Sequence, residues 1–252
     1  MILKFPLLLL VFLWTPVVFA DNTPTLAITY YPFPPGIRVE NGKPVGRYID
    51  MVKKIAEKAQ VQINWVASGF DDEANLLDNS NRDICTTGRM ATKERVKRWA
   101  FLPYVFDIVP EDIVLSRPED HEKLLKHGNI ISLVQDPSLV GVFLESGIYG
   151  NPLDTYLAKK PDWILRSGKP DFKLIELVMT GRAHYTVVPA NQWEEVQRLR
   201  PETSILMTIP NYGTHPAYPI FIACSRSLKP EMLKALSDAM GALGYSVGKL
   251  PR

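Results

Sequence analysis

The sequence predicts an α/β protein built on open, mostly parallel sheets with helices on both faces. Short apolar or alternating runs that are typical of strands alternate with runs of helical spacing, and the connections between them are short. The same order occurs in both halves of the chain, although no sequence repeat is visible. A length of 252 residues allows one large domain or two lobes of ordinary size.

The first half starts with the predicted strand TLAITYY, after which PFPPG and NGKP favour turns. In YIDMVKKIAEKA, apolar residues that include Ile49, Val52 and Ile55 recur on one helix face. VQINWVA and RDICTTG are predicted strands on either side of the weak helix DEANLLDN. TKERVKRWA is a predicted helix, because Thr92 is a favourable N-cap residue.

The second half is predicted to repeat this alternation. EDIVLSR and LVGVFLES are strands, and a helix is expected directly after the small-residue turn Ser146-Gly147. DFKLIELVM is a helix that ends at Gly181, HYTVVP is a strand, and the next helix begins near Asn191. SILMTIP and YPIFIACS are strands before the terminal helix KPEMLKALSDAMGALG. Ligands of such sheets bind at the carboxyl ends of the strands, which makes TTGRMAT, residues 86–92, a candidate site.

The first 20 residues, MILKFPLLLLVFLWTPVVFA, predict a secretory signal peptide. Lys4 precedes an apolar run, and Val18 and Ala20 suit a signal peptidase that cleaves after Ala20. The run is too short and too interrupted by proline for a membrane span, which needs roughly 20 apolar residues. The alternative to a cleaved signal peptide is an uncleaved membrane anchor. We therefore expect a mature chain that begins at Asp21 and lies in the periplasm.

Charge and side-chain spacing argue against several functions. The 29 Lys and Arg residues nearly balance the 27 Asp and Glu residues, so nothing indicates a nucleic-acid partner. The four His residues are scattered without metal-ligand spacing, and we expect neither a metal site nor a cofactor. Cys85 and Cys224 both lie in strand-like runs and form either a disulfide, as export permits, or two buried free thiols. Spacing along the sequence does not decide this, since a disulfide needs Cα atoms within about 7 Å.

Two stretches of the first half resemble a known family. The first is YYPFPPGIRVENGKPVGRYIDMVKKIAEKA, in which a proline-aromatic segment precedes Gly46 and the helix residue Asp50. This arrangement resembles extracellular solute-binding protein family 3, which comprises the periplasmic receptors of amino-acid ABC importers. RDICTTGRMATKERVKRWAFLPYV resembles the most specific stretch of that family through Asp83, Thr92, Arg95, Phe101, Pro103 and Tyr104. The resemblance covers nearly all of the chain after the signal peptide. The second half, with SLVQDPSLVGV, looks closest to a divergent, uncharacterised branch of these amino-acid-type ABC transporter substrate-binding proteins.

The resemblance implies a type II periplasmic-binding-protein-like fold, in which two lobes close over a ligand like a Venus flytrap. Each lobe would be an open, mostly parallel sheet flanked by helices. Lobe 1 would be discontinuous, residues 21–108 plus 210–252, and lobe 2 would span residues 109–209. Cys85 and Cys224 would then share a lobe, so that a disulfide between them is geometrically possible. The protein would act as a monomer that presents its ligand to an ABC permease or a sensor kinase at the membrane.

Two arginines are candidates for the ligand site. The resemblance makes Arg95 the arginine that grips the ligand's carboxylate, and a guanidinium fork suits a carboxylate through two parallel hydrogen bonds. Arg95 would lie in the first turn of its helix, where backbone N–H groups and the helix dipole also favour an anion. Arg89 is either a second cation for the ligand or the partner of Asp83 or Glu94 in a structural ion pair.

Small and aromatic residues complete the expected wall of lobe 1: Thr86, Thr87, Gly88, Met90, Tyr31, Phe33 and Phe70. Gly88 would let the backbone approach a ligand closely. The three aromatics either stack on apolar faces of the ligand or belong to the core, with Phe33 the favoured wall residue. On lobe 2, the N–H groups of Ser146 and Gly147 are either a second anion cradle at a helix start or a plain helix cap.

Pro189, which is expected to line the cleft, departs from the family's pattern. In the amino-acid receptors of this family an Asp after the lobe 2 strand holds the ligand's ammonium, and Pro189 occupies that place here. Because a buried ammonium needs a partner, an anionic or carboxylate-bearing ligand is expected rather than a plain α-amino acid. Asp71, Asp72 or Glu145 are substitute carboxylates that would restore amino acids as ligands.

The predicted function is a periplasmic solute-binding protein without catalytic activity, for a small carboxylate-bearing or amino-acid-like ligand that it delivers to an ABC importer or a sensor. A few proteins of this fold are dehydratases of cyclohexadienyl acids, and the alternative is an enzyme of that kind with Glu145 as the cleft acid. A ligand-free scaffold or signalling module is a third hypothesis.

Overall fold

The computed structural model describes residues 23–79, 81, 83–168 and 172–251, with residues 71 and 79 described by their backbone alone. The predicted signal peptide lies outside these residues. The strands are β1 (Thr25–Tyr30), β2 (Arg38–Glu40), β3 (Lys43–Val45), β4 (Gln62–Ala67), β5 (Ile84–Thr86), β6 (Ala100–Phe101), β7 (Asp107–Val109), β8 (Asp112–Ser116), β9 (Gly141–Leu144), β10 (Ile164–Ser167), β11 (Tyr185–Pro189), β12 (Met207–Ile209), β13 (Tyr218–Ile220) and β14 (Ala223–Cys224). The helices are α1 (Arg47–Ala59), α2 (Phe70–Asn79), α3 (Lys93–Arg98), α4 (Pro118–Leu125), α5 (Ile130–Val134), α6 (Leu153–Leu157), α7 (Lys173–Met179), α8 (Ala190–Leu199) and α9 (Pro230–Ala242), with a 3₁₀ helix at Pro201–Ile205.

The strands form two five-stranded sheets. The first has the order β4-β1-β5-β14-β6, in which β1 runs parallel to β4 and β5, and β14 runs antiparallel to β5 and β6. The second has the order β10-β9-β11-β8-β12, in which β9 runs parallel to β10 and β11, and β8 runs antiparallel to β11 and β12. Each sheet is therefore mostly parallel with one reversed strand, and the predicted fold class is confirmed.

The end of the chain completes the first sheet. We call the part that carries the first sheet lobe 1 and the part that carries the second sheet lobe 2. Strand β14 of lobe 1 follows all five strands of lobe 2 along the chain. The chain passes from lobe 1 to lobe 2 through β7 and returns through β13, and these two strands pair antiparallel with Tyr218 opposite Val109. This order agrees with a discontinuous lobe 1, while the boundaries at residues 108 and 210 stay a prediction.

Helix α1 shows how local sequence shapes lobe 1. Its buried residues are Tyr48, Ile49, Val52, Ile55 and Ala56. Gly46 precedes the helix at φ 118°, and a Cβ at this position would lie 2.6 Å from the carbonyl oxygen of Gly36, so the site requires glycine. The helix ends at Gln60 in the left-handed conformation, where its backbone N–H donates to the carbonyl oxygens of the last turn.

Each lobe packs around its own sheet. In lobe 1, apolar residues of β1 such as Leu26 and Ile28 pack with the buried face of α1. In lobe 2, successive residues of β8 face opposite sides, so that Val114 belongs to one core and Leu115 to the other. Helices cover both faces of such a sheet, which leaves the strand ends as the open edge.

The structure joins Cys85 to Cys224 by a disulfide. The two residues lie directly opposite each other in the antiparallel pair β5–β14, with Cα atoms 3.9 Å apart. Both are fully buried, and the bond joins positions that are 139 residues apart in the sequence. It therefore ties the returning end of the chain to the centre of the first sheet.

We expect the double variant Cys85→Ala/Cys224→Ala to fold but to lose about 2–5 kcal/mol of unfolding free energy, because a disulfide across a long loop restricts the unfolded chain. Urea unfolding followed by circular dichroism measures this difference. Dithiothreitol should destabilise the wild type by a similar amount and leave the double variant unchanged. Two titratable thiols in denatured, unreduced wild-type protein would contradict the bond.

Candidate functional site

A cavity of about 350 Å³ is lined by residues of both lobes. Most of its wall is apolar, which is typical of a site for a small molecule. Ten of the eleven predicted ligand-site residues line it: Arg95, Arg89, Thr87, Gly88, Met90, Tyr31, Phe33, Phe70, Gly147 and Pro189. Ser146 does not line it, and neither does Thr86.

Strand direction explains why these residues meet. Tyr31 and Thr87 directly follow the carboxyl ends of β1 and β5, and Pro189 is the last residue of β11. Parallel strands present their carboxyl ends at one edge of the sheet, where the connecting loops leave room for a ligand. The reversed strand β8 contributes its first residue, Asp112, to the same edge of the second sheet.

Arg95 reaches the cavity from the start of α3. Thr92 caps this helix, since its side-chain oxygen accepts the backbone N–H of Arg95 at 3.2 Å. The Arg95 guanidinium donates from Nη1 to the carbonyl oxygen of Met90 at 3.2 Å and lies 5.5 Å from the centre of the Trp99 ring. Among the described residues, no carboxylate forms an ion pair with it. Burial, together with the charge of Arg89, lowers the pKa of Arg95 to about 10, so the group stays charged at neutral pH.

Arg89 has a structural partner that we did not predict. Its side chain is buried and pairs with Glu73 of α2, with Nε at 2.8 Å from Oε2, rather than with Asp83 or Glu94. Nη2 also donates to the carbonyl oxygen of Phe70 at 2.9 Å. The guanidinium lies between two aromatic rings, 4.5 Å from the centre of Phe70 and 5.5 Å from the centre of Tyr31. Arg89 therefore holds the aromatic wall in place as well as lining the cavity.

Glu73 is the centre of a buried polar cluster beneath the cavity. Its carboxylate is fully buried and accepts the hydroxyls of Thr29 and Thr86, each at 2.8 Å, besides the Arg89 guanidinium. Thr86 is therefore absent from the wall because its hydroxyl turns towards Glu73. The sequence DEANLLDN does not by itself indicate that Glu73 is buried and paired. The partners of Glu73 come from β1, β5 and the loop after β5, which are distant in the sequence.

We expect Glu73→Gln to destabilise the protein by about 3–5 kcal/mol, because it removes one charge from a buried ion pair. Chemical unfolding at pH 7 measures the change. Glu57→Gln is the matched control, since Glu57 is an exposed residue of α1 and should lose at most about 0.5 kcal/mol. Equal stabilities of the two variants would show that the Glu73–Arg89 pair contributes nothing to stability.

Asp112 is a cavity carboxylate that sequence analysis missed. It lies directly opposite Pro189 in the antiparallel pair β8–β11, and only 3% of its surface is exposed. Its Oδ1 is buried without a hydrogen-bond partner. This burial raises the pKa of Asp112 to about 7. The Pro189 position thus lacks the expected acid, but its neighbour across the sheet supplies one.

Of the three carboxylates proposed as substitutes, Asp72 and Glu145 do not line the cavity. The side chain of Asp71 lies outside the described residues. Asp72 accepts the backbone N–H of Gly69 at 3.3 Å and does not line the cavity. The Glu145 side chain is 47% exposed, with Oε2 3.9 Å from Nε of Arg166, and it lines a separate, more open pocket.

The anion cradle predicted at Ser146-Gly147 is wrong in its geometry, because no helix begins there. Ser146 is exposed in a turn, and the N–H of Gly147 donates to the carbonyl oxygen of Leu144 at 3.3 Å. Helix α6 begins later, at Leu153. Asp154 of this helix accepts the backbone N–H of Gly150, in the preceding loop, at 2.9 Å. Gly147 contributes only to the cavity wall.

We expect the stability of the ligand-free protein to depend on pH through Asp112. Its folded-state pKa of about 7 lies above the unfolded value of 3.8, so its stabilising contribution is complete below pH 3.8 and is lost as the pH rises through 7. Between pH 4 and pH 8 the unfolding free energy of the wild type should fall by about 3–4 kcal/mol relative to Asp112→Asn. Urea unfolding of both proteins at each pH measures the difference, and parallel pH profiles would refute the assignment.

The part of the chain that the structure describes shows no group of three or more His, Cys, Asp or Glu side chains placed to hold a metal ion. Within that same part, no helix has both the length and the apolar character of a membrane span.

The profile of the bacterial extracellular solute-binding proteins, family 3, matches residues 25–245. The chain belongs to this family. The match covers both sheets and every residue that lines the cavity. The family predicted from the proline-aromatic segment and the Thr92–Arg95 motif is therefore confirmed.

Solved structures share the fold of this family 3 protein. A histidine kinase sensor domain with similarity to periplasmic binding proteins is 18% identical with a TM-score of 0.69, over 88% of this chain and 90% of that chain. The arginine-bound form of truncated ArgBP from T. maritima is 22% identical with a TM-score of 0.63, over 87% and 96%. The ancestral amino acid-binding protein AncCDT-1, a precursor of cyclohexadienyl dehydratase, is 17% identical with a TM-score of 0.65, over 87% and 88%. At these identities the likeness shows the fold alone.

Proposed function

We propose that this family 3 protein binds a small amino-acid-like zwitterion between its lobes. In this proposal Arg95 of lobe 1 binds the ligand's carboxylate and Asp112 of lobe 2 binds its ammonium. One observation carries the proposal: a guanidinium without a carboxylate partner and a carboxylate with a bare buried oxygen line the same cavity from opposite lobes, within the described residues.

Both groups are electrostatically unsatisfied without a ligand. Burial lowers the pKa of Arg95 and raises the pKa of Asp112, and both shifts mean that the charged form is disfavoured where it lies. A ligand with one charge of each sign compensates both. A zwitterion also contacts the two lobes at once, so its binding free energy favours their approach, as expected for hinge closure about the β7–β13 connection.

Plain α-amino acids are compatible with this proposal. Pro189 carries no carboxylate for the ligand's ammonium, but Asp112 lies directly opposite it and supplies one. The expected carboxylate-bearing ligand and the Arg95 contact are retained in the proposal, while the ligand's ammonium gains a partner.

We further propose that the protein works in the periplasm and presents its ligand to an ABC permease or a sensor kinase. Family membership supports an extracytoplasmic receptor. The likeness in fold to a histidine kinase sensor domain and to an arginine-binding protein is compatible with either partner.

The dehydratase alternative lacks its proposed acid. Glu145 does not line the main cavity and its side chain is 47% exposed, which disfavours it as the acid for a ligand held by Arg95. We therefore propose no catalytic step. Incubation with prephenate or arogenate, followed by detection of the aromatic product, tests this directly, and turnover at enzymatic rates would restore the alternative.

We expect Arg95→Ala and Asp112→Asn each to weaken ligand binding at least about 100-fold, because loss of one partner leaves the other buried charge unpaired. The ligand is first identified by native mass spectrometry of freshly purified protein, and affinities are then measured by calorimetry. Arg98→Ala is the matched control, since Arg98 lies on the same helix, is exposed and does not line the cavity. Unchanged affinity in Arg95→Ala, with circular dichroism showing an intact fold, would remove Arg95 from the site.

A further inference from the structure

Part of the cavity wall is made of apolar residues that come from both lobes. We define this apolar wall as Phe33, Ile37, Phe172, Leu174, Ile175 and Val196. Ile37 and Val196 are almost fully buried, at 1% and 2% exposure. Leu174, Ile175 and Val196 belong to the core on one face of the lobe 2 sheet, so their positions are fixed by packing.

The two lobes approach each other at this wall. Nη1 of Arg38, which directly follows Ile37, lies 3.9 Å from Oε1 of Glu195, which directly precedes Val196. Glu195 is also held by Arg198, whose Nε donates to its Oε2 at 2.7 Å. This contact joins the β2–β3 hairpin to α8 directly beside the apolar wall, and a ligand group that packs against the wall leaves water.

The described charges of the cavity include no free partner for a charged ligand side chain. Among the described residues that line it, three carry charge: Arg89, Arg95 and Asp112. Arg89 is neutralised by the fully buried Glu73. Arg95 and Asp112 are matched by the carboxylate and ammonium of the ligand. A second cation or a second carboxylate would therefore be buried without a counter-charge, which is strongly unfavourable.

We propose that the ligand is an α-amino acid with a large uncharged apolar side chain, aliphatic or aromatic, which packs against the apolar wall. This inference rests on the function proposed above. It separates this chain from the arginine-bound ArgBP, whose fold it shares, because an arginine side chain would need a carboxylate that the described cavity does not offer.

Calorimetry on protein that has been unfolded and refolded, to remove any carried-over ligand, tests the inference. The panel is L-leucine, L-methionine, L-phenylalanine, L-alanine, L-arginine, L-lysine and L-glutamate. At least one of the first three should bind about 100-fold more tightly than any of the charged three, because an unpaired buried charge outweighs an apolar contact. It should also bind about tenfold or more tightly than L-alanine, whose side chain leaves the wall uncovered.

A matched pair of variants links the preference to the wall. Phe33→Ala removes a partly exposed ring from the wall, and should weaken binding of the preferred amino acid about tenfold, because the ligand side chain loses that apolar contact. Its effect on L-alanine should be smaller. Val39→Ala removes apolar atoms at an exposed position of β2 outside the cavity, and should change neither affinity.

The possible results separate this inference from the proposed function. Tightest binding of L-arginine, L-lysine or L-glutamate, with sensitivity to Arg95→Ala retained, would overturn the apolar side chain and leave the zwitterion site standing. Equal affinity for L-alanine and the large apolar amino acids would also overturn the inference. No binding of any amino acid in the panel would overturn both proposals.

Discussion

The buried ion pair between Glu73 and Arg89 is the interaction on which the lobe 1 side of the cavity depends. Glu73 lies on α2 and accepts hydroxyls from β1 and β5, while Arg89 holds the rings of Phe70 and Tyr31. The backbone of Arg89 also exchanges two hydrogen bonds with Phe221, next to the returning strand β14. One charged pair thus joins elements that are far apart in the sequence, and because both charges are buried, neither can be removed alone at low cost.

Within the described part of the chain, the cavity has one charged group without an ion-pair partner on each lobe, Arg95 and Asp112. Arg95 is held by its helix cap and by a carbonyl oxygen of the preceding loop, and Asp112 is held by its position at the start of a central strand. Both groups are held in place before a ligand binds, which limits the ordering that binding requires. The cost of burying these charges falls on the ligand-free protein, where it is distributed between the two lobes rather than concentrated in one.

The sequence predicts well the features that local pattern encodes. The α/β alternation, the helix after Thr92 and the position of Arg95 all follow from short motifs, and the structure places them accordingly. Glu73 and Asp112 were missed because their roles depend on strand register and on contacts between distant segments. Pro189 shows the difference: its identity is local, but the carboxylate opposite it comes from the pairing of β8 with β11. The prediction of a helix directly after Gly147 was wrong for a related reason. Small residues indicate that the chain turns, but they do not specify which element follows the turn.

The disulfide gives the chain an unusual connectivity. Because Cys85 and Cys224 lie on either side of the whole of lobe 2, the intervening segment is a covalent ring anchored in the first sheet. A protease that cuts one loop of lobe 2 would open this ring without releasing a fragment, since both new ends remain attached through sulfur. The link therefore lets the molecule survive a single cut within lobe 2 as one covalently connected piece.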